Sequence, residues 1–222
     1  MFGFRLKENF KHPYVARSVT DFWRRWHISL STFFRDYVYI PLGGNRLGLK
    51  RQILNMFIVW SLTGLWHGAA WNFVLWGIYF FVLLAMEKLF LLRWLEKLPA
   101  IFGHVYTWMS FILGWVFFKM ESMSDIGTLL QRMFQVRSDF VTNRGVVLLQ
   151  NHIVFIVIAF VFAMPLLPWL RSKKPVQRLM KDLKSKEPLF GISSSIAYLA
   201  ILFFCTMSIV ASGFNPFLYF RF

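Results

Sequence analysis

The chain has 222 residues, 57% of them hydrophobic and 20% aromatic, with only 16% charged; a soluble domain carries about a quarter charged residues and far less aromatic material. So much apolar surface cannot be hidden inside one water-facing globule, which excludes a soluble enzyme or binding module and indicates an integral membrane protein. The net charge of +15, from 25 Lys and Arg against 10 Asp and Glu, is gathered in polar segments beside long apolar runs; that is the pattern of a cytoplasmic membrane face, so membrane lipids are the expected surroundings and no nucleic acid is expected as a partner.

From the N-terminus, Met1–Phe10 lacks the apolar core of a signal peptide. Residues 1–52 read as a basic interfacial segment with aromatic side chains interleaved. Ser18 and Asp21 have the spacing of a capping box at a helix start. Beyond them Phe22, Trp23, Trp26, Leu30, Phe33 and Phe34 recur at three- and four-residue steps, with Arg24, Arg25 and Arg35 among them. This predicts an amphipathic helix within Ser18–Leu42 that lies in the headgroup plane rather than spanning. Pro41-Leu42-Gly43-Gly44-Asn45 ends it with turn chemistry. No Gly-Lys-Ser/Thr follows the glycine pair, so it is not a phosphate loop.

Ile53–Trp66 is shorter than a span and contains Asn55, Ser61, Thr63 and Gly64 before running through His67-Gly68 into the next apolar stretch. It predicts a short, broken or re-entrant helix, and irregular backbone at membrane depth is tolerated only inside protein or beside a wet cavity. Trp71–Leu92, Ile101–Phe118, His152–Leu170 and Ile192–Ala211 each approach the ~20 residues that cross a hydrocarbon core as a helix. If Ile53–Ala70 crosses too, then 1–52, 93–100 and 171–191 share a face that collects twenty of the 25 positive charges. Otherwise the two richest segments fall on opposite faces. The bias favours crossing, with that face in the cytoplasm. The expected fold is all-α: a polytopic membrane helical bundle of about five membrane segments over 53–222, one of them short or broken, behind the N-terminal interfacial amphipathic helix. The single Cys205 permits no disulfide within the chain.

His67 lies in Gly64-Leu65-Trp66-His67-Gly68, within apolar sequence. An ionisable side chain at membrane depth is a functional candidate by default, and burial favours the neutral imidazole that a general base requires. Gly64 and Gly68 form a small-xxx-small pair that permits close approach of a neighbouring helix. The residues alone leave a structural histidine bonded to that neighbour equally open. His27, in Trp23-Arg24-Arg25-Trp26-His27-Ile28-Ser29, reads more simply as an interfacial histidine beside snorkelling arginines. His12, His104 and His152 fall at polar ends or span boundaries and read as interfacial. No histidine pair has ligand spacing, so no metal site is expected. No Gly-x-Ser-x-Gly elbow is present, and few carboxylates fall inside an apolar run, which argues against a proton-relay transporter.

Three blocks carry a resemblance: Asp21-Phe22-Trp23-Arg24-Arg25-Trp26-His27-Ile28-Ser29-Leu30-Ser31, then Phe34-Arg35-Asp36-Tyr37 through Pro41-Leu42-Gly43-Gly44-Asn45-Arg46, then Leu62-Thr63-Gly64-Leu65-Trp66-His67-Gly68 through Trp71-Asn72-Phe73-Val74-Leu75-Trp76-Gly77. In order and spacing they resemble signatures of the membrane-bound O-acyltransferase family. The ending Asn215-Pro216-Phe217-Leu218-Tyr219-Phe220-Arg221-Phe222 is similar to the tail of its bacterial alginate-acetylating branch. The resemblance is specific over 18–77, weak over the tail, and rests on hydropathy alone between them.

The resemblance implies a multi-pass enzyme of the bacterial inner membrane that moves an acyl group from a thioester to a hydroxyl. His67 matches the family's catalytic histidine and His27 its second histidine of the site, expected to wall the acyl channel. Trp66, Asn72, Trp26, Arg35 and Asp36 are the further substrate or channel candidates, with Asn72 and the Trp66 indole N–H as candidate donors to a developing oxyanion. No bound cofactor is implied; the donor is acetyl-CoA or another acyl thioester, drawn to the basic 1–52 segment. The acceptor is an exported polysaccharide, with periplasmic acetylation partners and an acyl-carrier protein as further expected partners. Members of that family are considerably longer and carry spans ahead of the Trp-Arg-Arg-Trp-His block. Residues 1–222 are therefore expected to be the C-terminal part of one such domain, and an export component, a non-catalytic assembly subunit or an inactive fragment are the rival readings.

Overall fold

The computed structural model describes residues 8–120, 122–135, 143–178 and 187–212. The chain divides into two compact units, Met1–Met164 and Pro165–Phe222. In the first, a single 3-10 turn at Pro13–Val15 leads into α1 (Val19–Arg25), α2 (Ile28–Phe34) and a π-helical turn at Arg35–Tyr39. Then follow α3 (Gly48–His67), α4 (Trp71–Met86), a second π-helical turn at Glu87–Leu91, α5 (Leu92–Leu95), α6 (Ala100–Lys119), α7 (Met123–Phe134) and α8 (Asn143–Ala163). In the second unit α9 (Leu166–Arg171) is followed by a long helix, Glu187–Ser212.

Among the described residues four helical stretches are long and apolar enough to cross a membrane: 71–95, 100–119, 144–163 and 191–211. Together with the absence of strands among those residues, this is the expected all-α polytopic bundle. Three expectations need correction. Ile53–Trp66 is neither short nor broken: α3 runs for 20 residues from Gly48, a rise of about 30 Å, and the irregular backbone falls just after it, at Gly68–Ala70. Lys50, Arg51 and Asn55 lowered the apparent hydropathy of a helix that continues through them. The third span lies earlier than His152–Leu170, because Pro165 stops the helix and the apolar run begins at Val146. His152 thus sits inside α8, its Nδ1–H donating to Leu148 O at 2.8 Å, rather than at a polar boundary. The tail block 215–222 lies outside the described residues.

The third correction concerns Ser18–Leu42, which is not one helix. Ser18 does cap α1, its Oγ accepting from Asp21 N at 3.0 Å. The helix then stops because Trp26 is extended and His27 takes a left-handed conformation, φ 48° and ψ 53°. The break has local support. Lys11 N–H donates to Arg25 O at 2.9 Å, Ile28 N–H donates to Asn9 O at 3.0 Å, and Asn9 Oδ1 accepts from Ser29 N at 2.9 Å. Groups that a helix end would leave unsatisfied are thus paired by the strand-like segment ahead of it. Farther on, the Gly43-Gly44 turn uses positive φ at both residues, which glycine adopts without steric cost. Buried Asn55 clamps that turn onto α3 by donating to Leu42 O at 3.2 Å and Gly44 O at 3.0 Å.

The core explains why α1 is apolar on two sides. Val19 packs with Trp76, Phe80 and Leu84 of α4, while Phe22 packs with Ala16 and with Phe111 of α6. Helices α3 and α4 form an antiparallel hairpin whose crossing is made by glycine. A Cβ added to Gly64 would stand 2.5 Å from Phe73 O, and one added to Gly77 would collide with Trp60 O. The close-approach pair is therefore Gly64 with Gly77, and Gly68 is instead a loop residue packed under the Phe73 ring.

Candidate active site

His67 is the last residue of α3 and half-buried. Its imidazole stands in an aromatic cage, with ring centroids 4.8 Å from Trp66, 4.9 Å from Trp76 and 5.1 Å from Phe118. His27, forty positions earlier, reaches the same place from the break between α1 and α2. Its ring centroid is 6.0 Å from Trp66 and 6.4 Å from Phe10. The Trp66 indole thus touches both imidazoles. Both Nδ1 atoms are buried without a hydrogen-bond partner among the described residues. A buried ring nitrogen without a partner is costly, and here two stand on either side of one indole. Burial holds the His27 imidazole below its ordinary range, against a smaller opposing effect of a backbone hydrogen bond.

Beside His27 a groove of about 410 Å³ opens between α1, α2 and α3. One face of α1 lines it with Thr20, Trp23, Arg24 and, one turn on, His27; Met56, Trp60 and Thr63 of α3 and Leu84 of α4 stand opposite. The walls are apolar with two cations, Arg24 and Arg35, at hand. Among the described residues no three His, Cys, Asp or Glu side chains gather closely enough to share a metal ion.

The other expected site residues divide. Arg35 lines the groove and pairs with Asp36 at 2.8 Å, both exposed to solvent. Trp66 is 52% exposed between the histidines. Asn72 is fully buried, and its Nδ2 donates to Phe118 O at 3.4 Å, which ties the start of α4 to the end of α6. Trp26 does not line the groove. It stacks on Phe22 at 5.6 Å and meets Phe10 edge-on at 4.8 Å, so the tryptophan on the groove wall is Trp23.

Reading the sequence alone also missed the residues that hold the Tyr14–Thr20 segment. Trp108 Nε1–H donates to Tyr14 O at 2.9 Å, His104 Nδ1–H donates to Ala16 O at 3.1 Å, and Glu87 accepts from Val19 and Thr20. Of these, Glu87 gave a signal: it is a carboxylate inside an apolar run.

The profile of the membrane-bound O-acyltransferase family matches residues 1–122. A probable alginate O-acetylase AlgI of Pseudomonas putida is 34% identical across 100% of this chain and 47% of its own. A peptidoglycan O-acetyltransferase of Helicobacter pylori is 36% identical over 60% of this chain and 26% of its own. A teichoic acid D-alanyltransferase of Bacillus subtilis is 34% identical over 43% of this chain and 26% of its own. The chain thus spans less than half the length of each of these relatives. With the profile covering more than half of its residues, and a relative aligned along its whole length, the chain belongs to the membrane-bound O-acyltransferase family.

Proposed function

We propose that this chain carries the histidine site of a membrane O-acyltransferase that moves an acetyl group from a cytoplasmic thioester to hydroxyls of an exported cell-surface polysaccharide. The observation that carries the reading is the meeting of His27 and His67 on either side of Trp66, with both Nδ1 atoms buried and unpartnered. The names of the three relatives denote acyl transfer to alginate, to peptidoglycan and to teichoic acid. That shared theme supports a polymer acceptor.

In this reading His67 accepts the proton of the incoming hydroxyl as its oxygen attacks the thioester carbonyl carbon. The carbon–sulfur bond then breaks, and the imidazolium returns the proton to the departing thiolate. The apolar surroundings of His67 favour the neutral ring the first step needs. His27 stands on the wall of the groove, where the acyl donor (acetyl-CoA or a carrier-borne acyl group) lies with its anionic end toward Arg24 and Arg35. Trp66, between the two histidines, is the candidate donor to the oxyanion; Asn72, tied to Phe118 O, serves better as a brace.

The test is the O-acetyl content of exported polysaccharide in cells whose gene carries His67→Ala, normalised to protein abundance by immunoblot. Loss of at least about a hundredfold at unchanged abundance is expected for removal of a general base. Acetylation that persists at the wild-type level would remove His67 from the chemistry.

A further inference from the structure

A carboxylate has no ordinary place inside a membrane span, yet Glu87 lies within 71–95 with 1% of its surface exposed. Its Oε1 accepts from Val19 N–H at 2.6 Å and its Oε2 from Thr20 N–H at 2.8 Å. Those amides belong to the first turn of α1, where no carbonyl of the helix can reach them. Ser18 Oγ takes a third, that of Asp21. Neither Lys nor Arg pairs with Glu87 among the described residues; its carboxylate is held by the start of α1, with the Tyr106 hydroxyl of α6 beside it. A buried acid and a buried helix start each cost heavily when left alone. Their pairing locks α1 onto α4. Glu87 also opens the π-helical turn Glu87–Leu91, and the extra residue of such a turn re-aims side chains away from the regular helical register.

The grip has a consequence at the other end of α1. The helix is two turns long, about 10 Å, so whatever fixes its first residues sets where its last ones stand. Thr20, whose N–H binds Glu87, shares a face of α1 with Trp23 and Arg24, and that face lines the groove together with His27 just beyond the end of the helix. Leu84, one turn before Glu87 on α4, lines the groove from the opposite side. Glu87 therefore ties the two walls together at a distance from the histidines.

We propose that Glu87 is a positioning residue for acyl transfer: by gripping the start of α1 it sets the height and rotation of that helix and so holds His27 opposite Trp66 and His67. The proposal rests on the acyltransferase reading above. Glu87 touches no reacting atom and acts through His27.

The test uses the intact protein in its native membrane, with Glu87→Gln, Glu87→Ala, His27→Ala and the Glu87→Gln/His27→Ala double variant. Two quantities are measured: deuterium exchange of the amides of 18–22, and transfer of radiolabelled acetyl from acetyl-CoA to polymer. Glu87→Gln keeps one acceptor oxygen and the fold. It should raise exchange at 18–22 and lower kcat by about tenfold with the donor KM little changed, the signature of a misplaced group rather than a lost binding contact. On the His27→Ala background it should cause no further loss, because both changes disable one device. Should Glu87→Ala fail to accumulate, the Gln variant carries the test. Unchanged exchange, transfer within twofold of wild type, or losses that add in the double variant would each overturn the proposal. Transfer that survives His67→Ala would overturn the site reading and this proposal with it, a failure distinct from tolerant Glu87 variants beside an inactive His67→Ala.

Discussion

Gly77→Ala is the substitution whose cost can be worked most directly from the geometry. At the crossing of α3 and α4 the Gly77 Cβ position collides with Trp60 O, and the reciprocal Gly64 position lies 2.5 Å from Phe73 O and 3.2 Å from Phe73 C. Ordinary contact begins near 3.4 Å, so a single methyl at Gly77 demands about 1 Å of separation between two helix backbones. Neither neighbour is a side chain that can swing aside. Overpacking of this kind costs about 1–3 kcal/mol, and the rigidity of both partners puts this case near the top, about 3 kcal/mol. For a chain of this length that lowers the melting temperature by about 6–12 °C. The assay is thermal unfolding of the detergent-solubilised protein, with Gly127→Ala as the control, because a Cβ there meets nothing within 4 Å. A melt at the wild-type temperature for Gly77→Ala would refute the glycine crossing. Because the pair lets the helix that ends in His67 approach the one that carries Trp76, the same variant should also reduce acyl transfer.

Burial lowers the affinity of the His27 imidazole for a proton, so the unfolded chain takes that proton up first as the pH falls. The His27 contribution to stability should be level above about pH 6.5 and decline as the pH drops through the ordinary histidine range toward the depressed native value. His27→Asn, which suits the left-handed backbone there, should flatten the decline in melts run from about pH 8 to about pH 5; an unchanged slope would contradict the assignment. If α3 crosses the membrane, cysteines at Arg46 and Glu96 should label from the same face and one at Ser124 from the other. Labelling of Arg46→Cys together with Ser124→Cys from one face would show that α3 does not cross.

What the sequence disclosed was the part governed by composition and spacing. Four apolar stretches near span length became four helices, and the Ser18–Asp21 spacing became a working cap. His67 and His27 were singled out, the first by its apolar setting and the second by its place in the Trp-Arg-Arg-Trp-His block. The misreadings share one cause: tertiary contacts overrode local signals. A three- and four-residue aromatic period ran through Trp26 and His27, where the backbone turns left-handed because Asn9 and Lys11 pair with the severed ends. Asn55 and Ser61 suggested an interruption in α3, yet Asn55 is satisfied by carbonyls of the Gly43-Gly44 turn. Trp23 and Trp26 are equivalent as residue types, and only packing against Phe10 and Phe22 turns Trp26 away from the groove. Gly64 does admit a neighbouring helix, as its spacing with Gly68 suggests, but the residue facing it across the crossing is Gly77, and Gly68 lies in the loop after α3.

The central claim is that His67, in its cage of Trp66, Trp76 and Phe118, performs the proton transfer of acyl transfer. The most direct measurement is acetyl transfer from labelled acetyl-CoA to polymer by membranes containing the protein or its His67→Ala variant, at matched abundance and matched melting temperature. For the variant kcat should fall by at least about a hundredfold; acetyl transfer at the wild-type rate would take His67 out of the chemistry.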